Sequence, residues 1–261
     1  MTTLTYALAD SATMVRRSLR HILRYPSMTV QLAGLPVVFL LLFVYVFGGT
    51  LGNGLGGAAG GRAEYINYVV PGILLMTIAT AITGTAISVA MDMTEGIIAR
   101  FRTMAIARAS VLTGHVVGSM AQTLGSIAIV TGVGLLIGFR PNANPVEWVA
   151  AIGVVAMITF ALIWLSVALG LKAKNVESAS NLPTPVVFLP FLSSGFVPTA
   201  SMPTGLAWFA EHQPFTPIIE TLRGLLTGTP IGNDAWIALA WCAVIGLGGY
   251  VWSKRLFDRE S

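Results

Sequence analysis

The chain has 261 residues, of which 55% are hydrophobic and only 10% charged, with a mean hydropathy of +0.78. Soluble domains carry about 25% charged residues, so this chain cannot cover a protein surface in water and lipid must be most of its solvent. A dispersed net charge of +4 argues against nucleic acid as a partner, and a single cysteine, Cys242, excludes an intrachain disulfide framework.

Residues 1–28 come first. Leu8, Ala12, Val15, Leu19, Ile22 and Leu23 recur at helical spacing, while Arg16, Arg17, Arg20 and Arg24 occupy other faces. The pattern predicts an amphipathic helix in the membrane interface, ended by Pro26. It serves either as a topology anchor or as a lever between a cytoplasmic partner and the first span. No short apolar core ends at a small-residue cleavage site, so a cleavable leader is not expected.

Six apolar stretches follow, at 30–50, 69–91, 111–139, 148–171, 182–197 and 235–252. None contains Asp, Glu, Lys or Arg, and each is read as a membrane span. The fifth is short and holds Pro183, Pro185 and Pro190. The basic residues alternate between loops. Arg16, Arg17, Arg20, Arg24, Arg100, Arg102, Arg108, Lys172, Lys174, Lys254, Arg255 and Arg259 fall on one side, against Arg62, Arg140 and Arg223 on the other. That asymmetry predicts an even number of spans with both termini cytoplasmic. The expected fold is therefore an all-α membrane protein, one transmembrane domain over 1–261, with six transmembrane helices after an interfacial helix.

The loops differ in kind. The first outer loop is glycine-rich from Gly48 to Gly61 and reads as a flexible linker; no Lys-Ser or Lys-Thr follows to make it a phosphate loop. The second inner loop mixes charge with apolar side chains. Asp92 and Glu95 begin it, Arg100, Arg102 and Arg108 end it, and Ile97, Ile98, Phe101 and Met104 recur at three and four residues. A short docking helix is expected there, its acids and bases ordered to suit the helix dipole. The last outer segment, 198–234, is too long for a turn. Two short helices broken by prolines are expected, with Trp208, Phe209 and Phe215 at the membrane interface and Glu220 paired to Arg223.

Chemistry is sparse. His21, His115 and His212 lie in separate segments without metal spacing, and no nucleophilic triad is in a plausible context. Ion-coupled transport needs ionisable groups inside the bundle, and here only the boundary groups Asp92, Glu147 and His115 are available. No G-x-x-x-x-G-K-[ST] motif occurs, so ATP energy has to come from a separate subunit.

Two motifs carry a resemblance. One is Glu95-Gly96-x3-Arg100-Phe101-Arg102-Thr-Met104-x-Ile-x-Arg108 with Leu112-x-Gly114; the other is Gly195-x2-Pro198 with Gln213-Pro214-x-Thr216-Pro217-x2-Glu220-x2-Arg223. Together they resemble the ABC-2-type permeases, specifically the daunorubicin-resistance-like drug exporters of bacteria, over nearly the whole chain. Ala105 departs from the proline common after methionine there. The resemblance implies a permease without its own ATPase in the bacterial inner membrane, exporting hydrophobic or amphipathic compounds. It implies a homodimer, or a dimer with a related permease, bound to two ATP-binding subunits that hold ATP and Mg. The first motif, with Asp92, becomes the segment coupled to that ATPase. The second becomes re-entrant outer helices before the last span. Phe39, Phe43, Tyr45, Met76, Phe188 and Phe191 are candidate walls of the cargo path. Export of a lipid or lipid-linked glycan is the alternative within transport. Outside ATP-driven export, an ion-coupled secondary transporter or a non-transporting membrane subunit remains.

Overall fold

The computed structural model describes residues 26–55, 61–94 and 108–259. Among these residues it is helical throughout, with no strand. Helix α1 (Pro26–Leu42) runs into a five-residue π turn (Phe43–Phe47) and then α2 (Gly48–Asn53). Helices α3 (Gly61–Thr94), α4 (Arg108–Ile137) and α5 (Pro145–Lys172) follow as an up-and-down series. Next come α6 (Val176–Asn181), α7 (Thr184–Phe188) and a 3₁₀ turn (Leu189–Leu192). A 3₁₀ turn (Thr199–Ser201), α8 (Thr204–His212), α9 (Phe215–Thr227) and α10 (Asp234–Arg259) complete the chain.

Five helices among the described residues are long and apolar enough to cross a membrane: Thr29–Asn53, Gly61–Thr94, Gly114–Ile137, Pro145–Lys172 and Asp234–Phe257. They match five of the six expected spans. The expected fifth span, 182–197, is not one helix. Pro183, Pro185 and Pro190 each remove a backbone donor, and the segment breaks into α7 and a 3₁₀ turn before leaving helical geometry at Ser193.

The centre of the bundle is α3. At 34 residues it is about 50 Å long, well beyond the 69–91 expected. It packs against α1, α2, α4, α5, α6, α7 and α9. Its middle turns, from Val69 to Ala79, are buried on every side, which explains a sequence apolar all round rather than along one stripe. The outer helices bury much less of themselves and turn large apolar side chains outward, among them Leu136, Val149, Trp236 and Leu247. In a membrane protein those faces meet lipid.

Small residues and hydroxyls set the contacts. Ser166 on α5 donates to the Ile82 carbonyl of α3, and Ser126 on α4 donates to the Thr29 carbonyl of α1 at 3.0 Å. Helix α5 starts with a capping box: Asn144 accepts from the Val146 and Glu147 amides, and the Glu147 carboxylate accepts from the Asn144 amide at 2.7 Å. Glu147, a boundary acid in the sequence, is thereby used as a cap. At the other end of α9, Gly228 takes a left-handed conformation (φ 78°) that closes the helix.

Helix α3 meets the broken segment at a pair of glycines. A Cβ added to Gly72 would lie 2.5 Å from the Gly195 carbonyl oxygen and 2.7 Å from its Cα. Gly72→Ala is therefore expected to destabilise the fold by about 1–3 kcal/mol, read as a lower Tm in detergent. Gly84→Ala, with open space around the new methyl, serves as the control. An unchanged Tm for Gly72→Ala would refute the close seating of the broken segment on α3.

Candidate functional site

At the proline-rich end of the bundle, the chain from Ser193 to Phe196 has no helical hydrogen bonds of its own. Its carbonyls need partners from elsewhere, and three side chains supply them. The Tyr65 hydroxyl donates to Phe196 O at 3.0 Å, and the Tyr68 hydroxyl donates to Ser194 O at 2.7 Å. Arg223 Nη2 donates to the same Ser194 O at 2.8 Å.

Arg223 is the hub. Its side chain is 7% exposed. Nε and Nη2 donate to Tyr68 O at 3.3 and 3.2 Å, and Nη1 donates to Glu220 Oε1 at 2.5 Å. Its guanidinium carbon sits 3.8 Å from the Tyr68 ring centroid. The expected Glu220–Arg223 pair is present, one helical turn apart on α9. Beyond that pair, Arg223 ties α9, the broken segment and α3 together. A planar guanidinium can do this because its donors fan out in fixed directions.

The junction between α8 and α9 is fastened to the same place. Thr216, buried on the first turn of α9, donates to Ala210 O at 2.5 Å and accepts from the Ser194 amide at 3.3 Å. Gln213 donates to Thr216 and accepts from the Phe215 amide at 3.1 Å. Pro214 stands as the N-cap of α9, and Pro198 precedes the 3₁₀ turn that leads to α8. The two expected short helices are thus α8 and α9. Trp208 and Phe209 are exposed, as expected of interfacial residues, but Phe215 is fully buried in the core instead.

Beside this network lies a group of aromatic rings. Phe191 stacks on Phe196 at 5.0 Å with an interplanar angle of 3°. Phe39 meets Phe191 edge-on at 5.6 Å, Phe43 lies 4.7 Å from Phe196, and Phe188 lies 6.4 Å from Phe191. Phe39, Phe43, Phe188 and Phe191 therefore come together, from α1, its π turn, α7 and the 3₁₀ turn. The other two candidates do not join them. Met76 is buried inside the core around α3, and the exposed Tyr45 faces the Arg62 guanidinium at 4.8 Å. Phe196, which completes the cluster, had no signal in the sequence because its neighbours are distant in the chain.

At the opposite end, Asp92 lies in the last described turn of α3 rather than at the start of a separate loop helix. His115 of α4 pairs with it, with Nε2 at 2.8 Å from Asp92 Oδ2. This pair links the two helices that flank the inner loop. His115, read in isolation from the sequence, was the partner that spacing could not reveal. Of the other expected coupling residues, Arg108 opens α4, whereas Glu95, Gly96, Arg100, Phe101, Arg102 and Met104 lie outside the described residues, as do Arg16, Arg17, Arg20 and Arg24.

Replacing Arg223 by Met strips partners from Ser194 O, Tyr68 O and Glu220 together, and is expected to destabilise by about 3–5 kcal/mol. Tyr68→Phe removes one hydrogen bond and should cost about 1 kcal/mol. Thermal unfolding in detergent ranks the two. Equal Tm values for both variants would show that Arg223 is not the hub.

The profile of the ABC-2 type transporter family matches residues 11–227. The daunorubicin resistance ABC transporter permease protein DrrB1 of Streptomyces coeruleorubidus is 28% identical over 244 residues, covering 90% of this chain and 83% of that one. A Mycobacterium tuberculosis protein named "Probable doxorubicin resistance ABC transporter permease protein DrrC" is 26% identical over 209 residues, covering 80% of this chain and 75% of that one. ABC transporter G family member 20 of Dictyostelium discoideum is 26% identical over 192 residues, 69% of this chain but only 26% of its own length. The multi-pass helical bundle and the match over most of its length lead to one conclusion: the chain belongs to the ABC-2 type transporter family.

Proposed function

We propose that this chain is the membrane subunit of an ATP-driven exporter that moves apolar or amphipathic compounds of drug type out of a bacterial cell. The observation that carries the reading is the aromatic cluster on α1 and the broken segment, set beside long helices free of charge in their apolar stretches. Flat ring faces suit flat, largely apolar cargo. Two relatives are named for daunorubicin and doxorubicin resistance, which fits cargo of this kind.

The motor is a separate polypeptide. With no phosphate-binding loop in the chain, ATP and Mg are held by partner ATP-binding subunits, two per complex. They dock on the inner segment around Glu95, Gly96, Arg100, Phe101, Arg102, Met104 and Arg108, and on the N-terminal arginine-rich helix. A second copy of this permease, or a related one, completes the path. The broken segment is the fifth of six crossings, interrupted partway, and α8 and α9 re-enter the membrane from outside. That count returns both termini to the cytoplasmic face of the inner membrane, in agreement with the loop charges. Closure of the ATP-binding subunits then pushes on the inner loop and on the N-terminal helix. The Asp92–His115 link passes this displacement to α3 and α4 together.

The chain purified alone is expected to hydrolyse no ATP, and co-expression with its cognate ATP-binding subunit to yield a hydrolysing complex. Arg100→Glu or Arg102→Glu should weaken co-purification of the two while Tm of the permease holds. Strong hydrolysis by the lone chain would refute the two-subunit reading, and undiminished co-purification would refute docking at this loop.

Phe188 is the most exposed of the clustered rings and packs least. In inverted vesicles carrying the complex, Phe188→Ala should reduce ATP-dependent uptake of an anthracycline severalfold, with Tm changed by less than the equivalent of about 0.5 kcal/mol. Unaltered uptake would remove the cluster from the cargo path.

A further inference from the structure

Helices α5 and α10 run parallel and close together. Gly246 faces Ala161, and a Cβ added to Gly249 would lie 2.6 Å from the Leu165 amide nitrogen. Ser253 is fully buried one turn further on, and Phe257 packs with Val167 and Leu171. Small residues thus let the two backbones approach and hold them in register along their length. As a result both helices finish at the same level. Lys172 and Lys174, at and just past the end of α5, and Lys254 and Arg255, in the last turns of α10, then fall at the same end of the bundle.

All four cations are exposed. None forms an ion pair with an acid among the described residues, and Glu177, in the first turn of α6 at this same end, is not within salt-bridge distance of any of them. Lys172 is held in place: its Nζ lies 5.4 Å from the centroid of the Trp252 ring. A lysine fixed over an indole at the end of a membrane helix is a prepositioned charge rather than a freely solvated one. Immediately along α10 from this collar, Val244, Leu247, Tyr250 and Val251 turn outward. An apolar wall therefore rises directly from the cationic rim.

We propose that this collar, Lys172, Lys174, Lys254 and Arg255 around Trp252, binds the phosphate headgroup of an anionic phospholipid whose acyl chains lie along the outward face of α10. Unpaired cations call for an anion, and the adjoining apolar wall calls for one that carries hydrocarbon. A headgroup on a two-chain lipid satisfies both at once. A soluble anion would satisfy only the first, and a protein surface would have to bring acidic groups and hydrocarbon in the same arrangement. Such a lipid would clamp the ends of α5 and α10 and stiffen the last span against its neighbour.

The test uses the full chain in detergent, with native mass spectrometry to follow bound dioleoylphosphatidylglycerol. Dioleoylphosphatidylcholine supplies the zwitterionic comparison, and inorganic phosphate the free anion. Phosphatidylglycerol should be retained in preference to phosphatidylcholine, and millimolar inorganic phosphate should not displace it. Each cation near an anionic headgroup is worth about fivefold in affinity. The Lys172→Gln, Lys254→Gln, Arg255→Gln triple variant should therefore bind about 100-fold more weakly. Trp252→Leu keeps every charge but frees Lys172, and should lose a smaller part, which keeps the test open if the triple variant fails to fold. Arg62→Gln, at the other end of the bundle, should change nothing. Equal retention of the two lipids, displacement by phosphate, or undiminished binding by the triple variant or by Trp252→Leu would each overturn the proposal. So would a triple variant that keeps the lipid but no longer co-purifies with an ATP-binding subunit, since the collar would then be a protein-docking surface.

Discussion

A buried guanidinium cannot be left without partners, and Arg223 meets that demand with groups from three parts of the chain. It pairs with Glu220 on its own helix, bonds two carbonyls across the bundle, and sits over the Tyr68 ring. The dependence is mutual. The carbonyls of Ser193 to Phe196 have lost helical partners, and buried in the bundle they need donors from the protein. A break in a buried helical segment and a buried cation would each be unfavourable alone. Placed together, each satisfies the other, so the kinked segment, α3 and α9 hold as one unit.

Much of the architecture follows from that unit. Gly72 and Gly195 let α3 and the broken segment touch, which brings Tyr65 and Tyr68 within reach of the free carbonyls. The same contact carries Phe196 and Phe191 against Phe39 and Phe43, because the π turn at the end of α1 faces the broken segment there. π turns insert an extra residue into a helix and re-aim the side chains that follow. The aromatic cluster is thus a consequence of the polar network behind it rather than a separate feature. A movement of the broken segment would shift the rings and the network together.

The two ends of the bundle are built differently. The proline-rich end is held by polar networks, with many hydrogen bonds directed at a few carbonyls. At the basic end the described contacts include apolar packing and one charged pair. A small apolar cluster of Val89, Val116, Ile163, Val167, Leu171 and Phe257 lies beside the Asp92–His115 pair.

Composition and loop charge alone determined that this is a membrane-embedded helical chain, because hydrocarbon tolerates only long apolar helices and each span has to be written out locally in the sequence. Five spans, the two short outer helices and the Glu220–Arg223 pair were legible for the same reason: each is set by residues within a few turns of one another. Other features depended on neighbours far apart in the chain. The break at Ser193 was hinted at by its prolines, but its seating on α3 was not. Phe215 reads as an interfacial ring until the fold buries it in the core, Met76 reads as a wall until α3 proves to be central, and His115 reads as solitary until Asp92 comes within 2.8 Å of it. Those placements were decided only by the tertiary structure, since a hydrogen bond across more than a hundred residues, such as Tyr68 to Ser194, leaves no periodicity in either partner's surroundings.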